Sequence, residues 1–308
     1  MMSKKVIFFG NERLATGVAT TAPTLQALIK NGYDVQAVVV NEAADSLNKN
    51  RRLEIAEVAL KNNITLHTPK KLRDIKSLLE ECQADIGVLV AFGQMIPQEI
   101  IDLFPHGIIN IHPSNLPLHR GPIPLESVIL AGETSTAISI MQLVKAMDAG
   151  PVLAQERVTL IGNETKQDLA DRLLEKGSCM IIDLLPKIFA GSIIPQPQGG
   201  QAATYDSLIK KEDGVISWQE SASVIERKIR AYAGWPRATA TLYEQSVILL
   251  QATPIENTHQ LQVGECFRDK NNLEIGCGDG STLAIHALQP IGKKPMAIKD
   301  FLNGLRSA

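Results

Sequence analysis

Over the first 190 or so residues, short apolar runs alternate with stretches of helical spacing, a rhythm that few architectures accommodate. Val6–Phe9 ends in Gly10. Residues 22–31 follow with Leu25, Leu28 and Ile29 on one helical face, and Gly32 stops that helix. Val35–Val40 is the next β-branched run, Leu53–Leu60 is helical, and Ile64–Leu66 is a short strand. Ile75–Cys82 sets Ile75, Leu78, Leu79 and Cys82 at helical spacing, and Ile86–Ala91 and Ile108–Ile111 close the series. Ile86–Ala91 shows no in–out alternation, the mark of a strand buried on both faces in a parallel sheet covered by helices. The repetition predicts an α/β fold: a doubly wound, Rossmann-like parallel sheet with right-handed crossovers. Ligands of such sheets bind at the carboxyl ends of the strands, near the point where strand order reverses.

The character changes at Ala190–Gly200, which carries two prolines and three glycines without periodicity and reads as a linker. Beyond it, Ser221–Tyr232 is helical, with Val224, Ile225 and Ile229 on one side. Short strand-like runs follow at Ala238–Leu242, Val247–Ala252, Leu273–Cys277 and Leu283–Leu288. Short strands between turn signals suggest a second, smaller β-barrel of the OB-like kind. The expected division is a domain over 1–189, a linker over 190–203 and a β-barrel domain over 204–308.

Charge narrows the partners. The 308 residues hold 31 Lys and Arg against 33 Asp and Glu, for a net charge of -2. That excludes a strongly basic nucleic-acid sleeve or a polybasic membrane anchor as a property of the whole chain. Residues 204–308 balance at 12 basic and 12 acidic residues. Aromatics at 4% argue against a stacking platform for single strands. Cys82, Cys179, Cys266 and Cys277 form no C-x-x-C pair and no dense framework, so reduced thiols are expected. The apolar run after Lys5 is too short for a signal segment or a membrane span, and a soluble, cytoplasmic protein is expected.

A first strand ending in glycine invites a dinucleotide reading, which needs G-x-G-x-x-G for the backbone to approach a pyrophosphate. Here Gly10 is followed by Asn11-Glu12-Arg13-Leu14-Ala15-Thr16-Gly17. The later glycines are missing, and Glu12 stands where a phosphate would lie. No phosphate loop with Gly-Lys-Ser/Thr is present either.

The informative stretch is Asn110-Ile111-His112-Pro113-Ser114-Asn115-Leu116-Pro117-Leu118-His119-Arg120-Gly121. Asn110 and His112 are two apart at a strand end, so their side chains share one face. Pro113 and Pro117 turn the chain out of the strand. Asp148, in Met147-Asp148-Ala149-Gly150-Pro151, follows the apolar run Ala137–Leu143; alone it reads as a turn-former. Together the three supply an amide, an imidazole and a carboxylate, a set suited to acyl transfer.

These residues carry a resemblance. Asn110-x-His112-Pro113-Ser114, Leu116-Pro117, Arg120-Gly121 and Asp148-x-Gly150 resemble the signature of the folate-dependent formyltransferases, and Ala91–Pro97 resembles their folate-side loop. The second half is similar to the C-terminal domain of the branch that acts on tRNA: Thr204-Tyr205, Ile209–Gly214, Ile216-x-Trp218, Ile229-Arg230-Ala231, Trp235-Pro236 and Pro290–Met296. The segment Gly10–Ala15, Asn115, and Glu126 where glutamine is common depart from the family pattern.

The resemblance implies transfer of a formyl group from 10-formyltetrahydrofolate, as co-substrate, to the α-amine of initiator methionyl-tRNA, for translation initiation, without a metal or a covalent nucleophile. Asn110 then donates to the oxyanion, where one such donor is worth about 10²–10³ in rate. His112 donates to the same oxygen or moves a proton to the leaving nitrogen, and Asp148 orients the imidazole and can accept the amine proton through water. The folate pocket would draw on Val90, Phe92, Gly93, Met95, Ile96, Ser114, Leu116 and Pro117. Lys49, Arg51 and Arg52 in the segment Asn41–Arg52, with Lys210, Lys211, Arg230, Lys293 and Lys294, are the candidate tRNA contacts. A monomer is expected. A sugar-nucleotide N-formyltransferase shares the trio, and a catalytically idle folate-binding homologue is the reading from another class; it predicts a broken trio.

Overall fold

The computed structural model describes residues 4–41, 53–199 and 202–306. They gather into two compact units. The first runs to Leu125 and adds Thr134–Leu160 and Gln167–Ser207; the second collects Glu126–Glu133, Ile161–Lys166 and the chain from Leu208 onward.

The described residues of the first unit build a seven-stranded sheet from β1 (Lys5–Phe9), β2 (Asp34–Val39), β3 (Thr65–His67), β4 (Ile86–Leu89), β5 (Ile108–His112), β6 (Ser135–Gln142) and β7 (Val152–Thr159). Its order is β3-β2-β1-β4-β5-β6-β7. Strands β1 to β5 pair in parallel, as the strand–helix repetition predicts, and β4 and β5 are buried at every position. The parallel run stops there: β6 pairs antiparallel with β5 and β7 antiparallel with β6. Strand β6 reaches β7 through a loop with no crossover helix, and a direct return can only pair antiparallel. Neither edge matches the buried centre, since β3 is largely exposed and β7 partly so.

Helices α1 (Pro23–Lys30), α2 (Glu54–Lys61), α3 (Lys76–Glu81) and α4 (Gln98–Ile101) connect the parallel strands. Helix α1 buries Thr24, Leu25 and Leu28 and ends before Gly32, which adopts φ +76°. Among the additions to the sequence reading are α4, α5 (Pro124–Ala131) and the 24-residue α6 (Lys166–Phe189). Helix α6 lies so close to the sheet at Gly177 that a Cβ there would stand 2.8 Å from Ile111 Cγ2 and 3.2 Å from Ile138 Cγ1. No helix among the described residues is long and apolar enough to cross a membrane.

Strand order reverses between β1 and β4, and Gly10 marks the carboxyl end of that junction. With φ +117°, any Cβ at Gly10 would sit 1.9 Å from the Val90 carbonyl oxygen. The glycine therefore serves close backbone approach between neighbouring loops. Asn11 and Glu12 donate their backbone N–H groups to Ala91 and Val90.

The second unit is antiparallel, as expected of a small barrel. Its strands β8 (Thr239–Leu242), β9 (Gln245–Ile255), β10 (Cys266–Arg268), β11 (Leu273–Gly276) and β12 (Thr282–Pro290) run in the order β10-β11-β12-β9-β8, with β13 (Met296–Ala297) on β12. The sheet curls as a half-barrel. Helix α7 (Ala222–Ala231) starts at Ser221, whose Oγ accepts from Val224 N. Its Ile225 and Ile229, with Phe301 and Leu302 of α8 (Ile298–Arg306), fill the core over Leu249, Leu273 and Ile285. This unit also buries an ion pair: Lys166 Nζ lies 3.3 Å from Glu126 Oε1 and donates to the Trp235 carbonyl at 3.0 Å. Burial lowers the lysine's pKa, and Glu126 partly offsets the fall. The glutamate that departs from the family pattern is thus the counter-ion of a buried lysine.

Candidate active site

Strand β5 presents Ile108, Asn110 and His112 to one face of the sheet and Ile109 and Ile111 to the other, toward α6. Asn110 and His112 are 6% and 5% exposed, which places two polar side chains at the rim of an apolar core. Pro113 ends the strand. Ser114 then ties the following loop together: its Oγ donates to the Leu118 carbonyl at 2.7 Å, and its own carbonyl accepts from Ser139 Oγ at 2.6 Å. The loop returns through His119, in a left-handed conformation at φ 55°. Its carbonyl oxygen lies 2.9 Å from His112 Nε2. A carbonyl only accepts, so Nε2 carries a proton, and Nδ1 is the ring nitrogen left to gain or lose one.

Nδ1 faces Asp148 Oδ2 at 3.8 Å. That exceeds a hydrogen bond, but catalytic contacts are often long before substrate binds. The same Oδ2 accepts from the backbone N–H of Gly121 at 2.8 Å. Asp148 is itself left-handed, at φ 45°. Gly150 is required behind it, because a Cβ there would meet the Gln142 carbonyl oxygen at 1.8 Å. The amide, imidazole and carboxylate picked from two stretches of the sequence thus stand at the carboxyl end of one sheet.

Sequence reading passed over Gln198, which belongs to the segment expected to be a linker. That segment packs on the first unit: Gln196 pairs with Val152 through two 2.8 Å backbone hydrogen bonds. Gln198 Nε2 donates to the carbonyls of Asp148 at 2.9 Å and Gly150 at 2.7 Å. Its Oε1 accepts from Arg120 Nε at 3.1 Å and Nη2 at 2.7 Å. In a single sequence only the flanking Pro195 and Pro197, which hold the backbone extended, hint at order there.

The expected folate residues divide. Phe92 and Ile96 turn into the core, Phe92 edge-on to Phe9 at 6.0 Å between centroids, and Val90 is fully buried. Gly93, at φ +74°, and Met95, 59% exposed, form the open rim. Ser114 and Leu116 are buried, and the Leu116–Pro117 peptide is cis. A separate cleft of about 360 Å³, lined by Pro105, His106, Ile109, Gln142, Leu153 and Ile188, lies at the amino end of β5, away from the trio.

Glu12 does not take part in the trio. It is 1% exposed, and its carboxylate accepts from Thr24 N and Leu25 N at 2.8 Å each, capping α1 from outside the helix. Burial pushes its pKa up to about 7 against the pull of those two N–H groups.

Of the candidate tRNA contacts, Lys210, Lys211, Lys293 and Lys294 are exposed. Arg230 is engaged, forked onto Glu226 at 2.6 and 2.9 Å and donating to the Glu164 carbonyl at 2.9 Å. Lys49, Arg51 and Arg52 lie outside the described residues.

Residues 4–185 match the family model described as formyl transferase, and residues 208–306 match the formyl transferase C-terminal domain. The chain belongs to the formyl transferase family. Among its formyl transferase relatives, the methionyl-tRNA formyltransferase of Enterococcus faecalis is 35% identical over 98% of this chain and 96% of its own length. That of Pseudoalteromonas translucida is 35% identical over 97% and 94%. Among solved structures, the N-formyltransferase from Helicobacter canadensis in complex with folinic acid and dTDP-3-aminofucose superposes with a TM-score of 0.68. It is 17% identical and covers 94% of this chain and 100% of that one, a likeness of fold.

Proposed function

We propose that this formyl transferase moves a formyl group from 10-formyltetrahydrofolate to the α-amino group of methionyl initiator tRNA, in the cytoplasm, for translation initiation. Kinship along the whole chain, both family domains included, with relatives named for that acceptor is the observation that carries the reading. The trio supports the chemistry. As the amine attacks the formyl carbon, a C–N bond forms and the carbonyl pair moves onto oxygen. The Asn110 carboxamide, held at the end of β5, donates to that oxyanion. The amine proton passes through water to the Asp148 carboxylate, whose Oδ2, held by the Gly121 N–H, faces His112 Nδ1. With Nε2–H committed to the His119 carbonyl, the proton that reaches the departing folate nitrogen travels by His112 Nδ1. The carbonyl then re-forms and the bond to that nitrogen breaks. The rim at Gly93–Met95, with open backbone and an exposed thioether, suits a flat heterocycle, while Phe92 and Ile96 hold the rim from beneath.

In this reading residues 1–189 carry the chemistry and 204–308 the tRNA contacts, with Lys210, Lys211, Lys293 and Lys294 on phosphates and the chain acting as a monomer. The test is transfer of labelled formyl from 10-formyltetrahydrofolate to methionyl initiator tRNA, beside an amino-sugar nucleotide, with wild type and His112→Ala. Label on the tRNA that disappears in the variant is the expected result. Label on the sugar alone keeps the trio and overturns the acceptor; label on neither overturns the activity.

A further inference from the structure

A glutamine side chain offers two N–H donors and one oxygen with two lone pairs. Gln198 uses all four: two donors on the carbonyls of Asp148 and Gly150, two lone pairs on Arg120. Its orientation follows from its partners, because a flipped amide would set oxygen against two carbonyl oxygens and NH₂ against a guanidinium. Arg120, 6% exposed, is fixed in turn. Its Nη1 donates to Tyr205 Oη at 2.6 Å, its backbone N–H to Thr204, and its carbonyl accepts from Asp206 N. The neighbours of Arg120 touch the trio directly, since His119 O holds His112 and Gly121 N holds the Asp148 carboxylate. Asp148 is therefore gripped on both sides by one short stretch, through its carboxylate by Gly121 and through its backbone by way of Gln198. A non-glycine residue in left-handed conformation persists only where its surroundings over-determine it, and these bonds do so for Asp148.

We propose that Gln198 is a positioning residue of the transfer site: its carboxamide locks the Asp148–Gly150 turn to Arg120 and so sets the separation between Asp148 and His112. This rests on the reading of Asp148 and His112 given above. A displacement of about 1 Å at reacting groups costs on the order of 10²-fold in rate, and Gln198 stands between such a displacement and the turn.

Two replacements separate the bonds. Gln198→Met keeps the length and removes every donor and acceptor. Gln198→Glu keeps two lone pairs for Arg120 but turns a carboxylate oxygen toward the carbonyls of Asp148 and Gly150. Formyl transfer to methionyl initiator tRNA is measured at saturation and below it, with thermal melting of the full chain beside it. The expected result is a fall in kcat of about 10- to 100-fold in both variants. KM for either substrate stays within about threefold, and melting shifts by only a few degrees. In an Asp148→Asn background, Gln198→Met lowers the rate no further, as for residues that act as one unit. The proposal is overturned by a kcat within twofold of wild type in Gln198→Met, by recovery in Gln198→Glu, which would leave Gln198 only a support for Arg120, or by losses that multiply in the double variant. An Asp148→Asn enzyme at wild-type rate instead overturns the reading of the site itself.

Discussion

Glu12 ties the stability of the first unit to pH in a direction opposite to most acids. Two effects compete at this carboxyl. The N–H groups of Thr24 and Leu25 and the amino end of α1 favour the carboxylate, an end effect of about 0.3–1 kcal/mol, reaching roughly 2 where partly buried. Burial favours the neutral acid, and it wins, moving the pKa from 4.5 to about 7. Each unit is about 1.4 kcal/mol, so the shift amounts to about 3 kcal/mol. The unfolded chain releases this proton near 4.5 and the folded chain holds it to about 7. Between those values the native state binds one more proton, so stability falls as pH rises. The contribution is fully present below about 4.5 and lost above about 7. Glu12→Gln isolates the effect. Its single oxygen cannot serve both N–H groups as the two carboxyl oxygens do, which lowers stability at acid pH by about 1–3 kcal/mol. The variant then fails to follow the fall of wild type, because position 12 no longer titrates. Urea unfolding of both proteins at a series of pH values from about 4.5 to about 8, compared at equal m, reads the difference with every other titrating group cancelled. The difference should move by about 3 kcal/mol in the variant's favour as pH rises. A difference that is flat, or that moves toward wild type, would show that the helix end and not burial governs Glu12, and the reasoning falls.

Replacing Asn110 with Ala should lower kcat for formyl transfer about 10²–10³-fold while binding of the folate, followed by fluorescence quenching, changes little. Lys166→Met removes the cation facing the buried Glu126 carboxylate and should destabilise the second unit by about 3–5 kcal/mol, whereas Lys166→Met with Glu126→Gln should recover part of the loss in thermal melting. Lys293→Ala with Lys294→Ala should raise KM for methionyl initiator tRNA and reduce the salt dependence of binding by roughly one logarithmic unit of slope per lost phosphate contact, leaving kcat unchanged.

The centre of the parallel run was legible because burial on both faces leaves its mark there: β4 and β5 are apolar, with Asn110 and His112 as the exceptions that pick out the candidate site. Where burial is one-sided the mark fades. Strand β7 reads Val-Leu-Ala-Gln-Glu-Arg-Val-Thr, with an exposed polar run at its centre, and nothing in it announces a strand. Helix α6 escaped for another reason. Gly177 and Pro186 punctuate its pattern, yet the glycine is there for contact with Ile111 and the proline falls in the last turn. Strand-end chemistry and family resemblance singled out the candidate trio, but nothing in the sequence singled out Gln198. Its partners at Asp148 and Gly150 are backbone carbonyls, which no residue type betrays, and its proline- and glycine-rich surroundings imitate a linker.

The carboxyl ends of this sheet carry two acids, and their surroundings divide the work between them. Glu12 is sealed from solvent with one backbone N–H on each oxygen, and its proton is held by burial. A group so placed can neither reach a substrate nor exchange a proton quickly, so its part is to join β1 to α1 where the fingerprint of a dinucleotide site is missing. Asp148 keeps a side chain 15% exposed, one oxygen on Gly121 and a facing imidazole too far for a direct bond. That gap has room to tighten when substrate arrives, and a fixed Gln198 ensures that the tightening occurs at the side chain while the backbone stays in place. Two acids are thus set apart by environment alone: Glu12 is held at both carboxyl oxygens and sealed by burial, whereas Asp148 is held at one carboxyl oxygen and through its peptide carbonyl and keeps its side chain partly exposed beside His112.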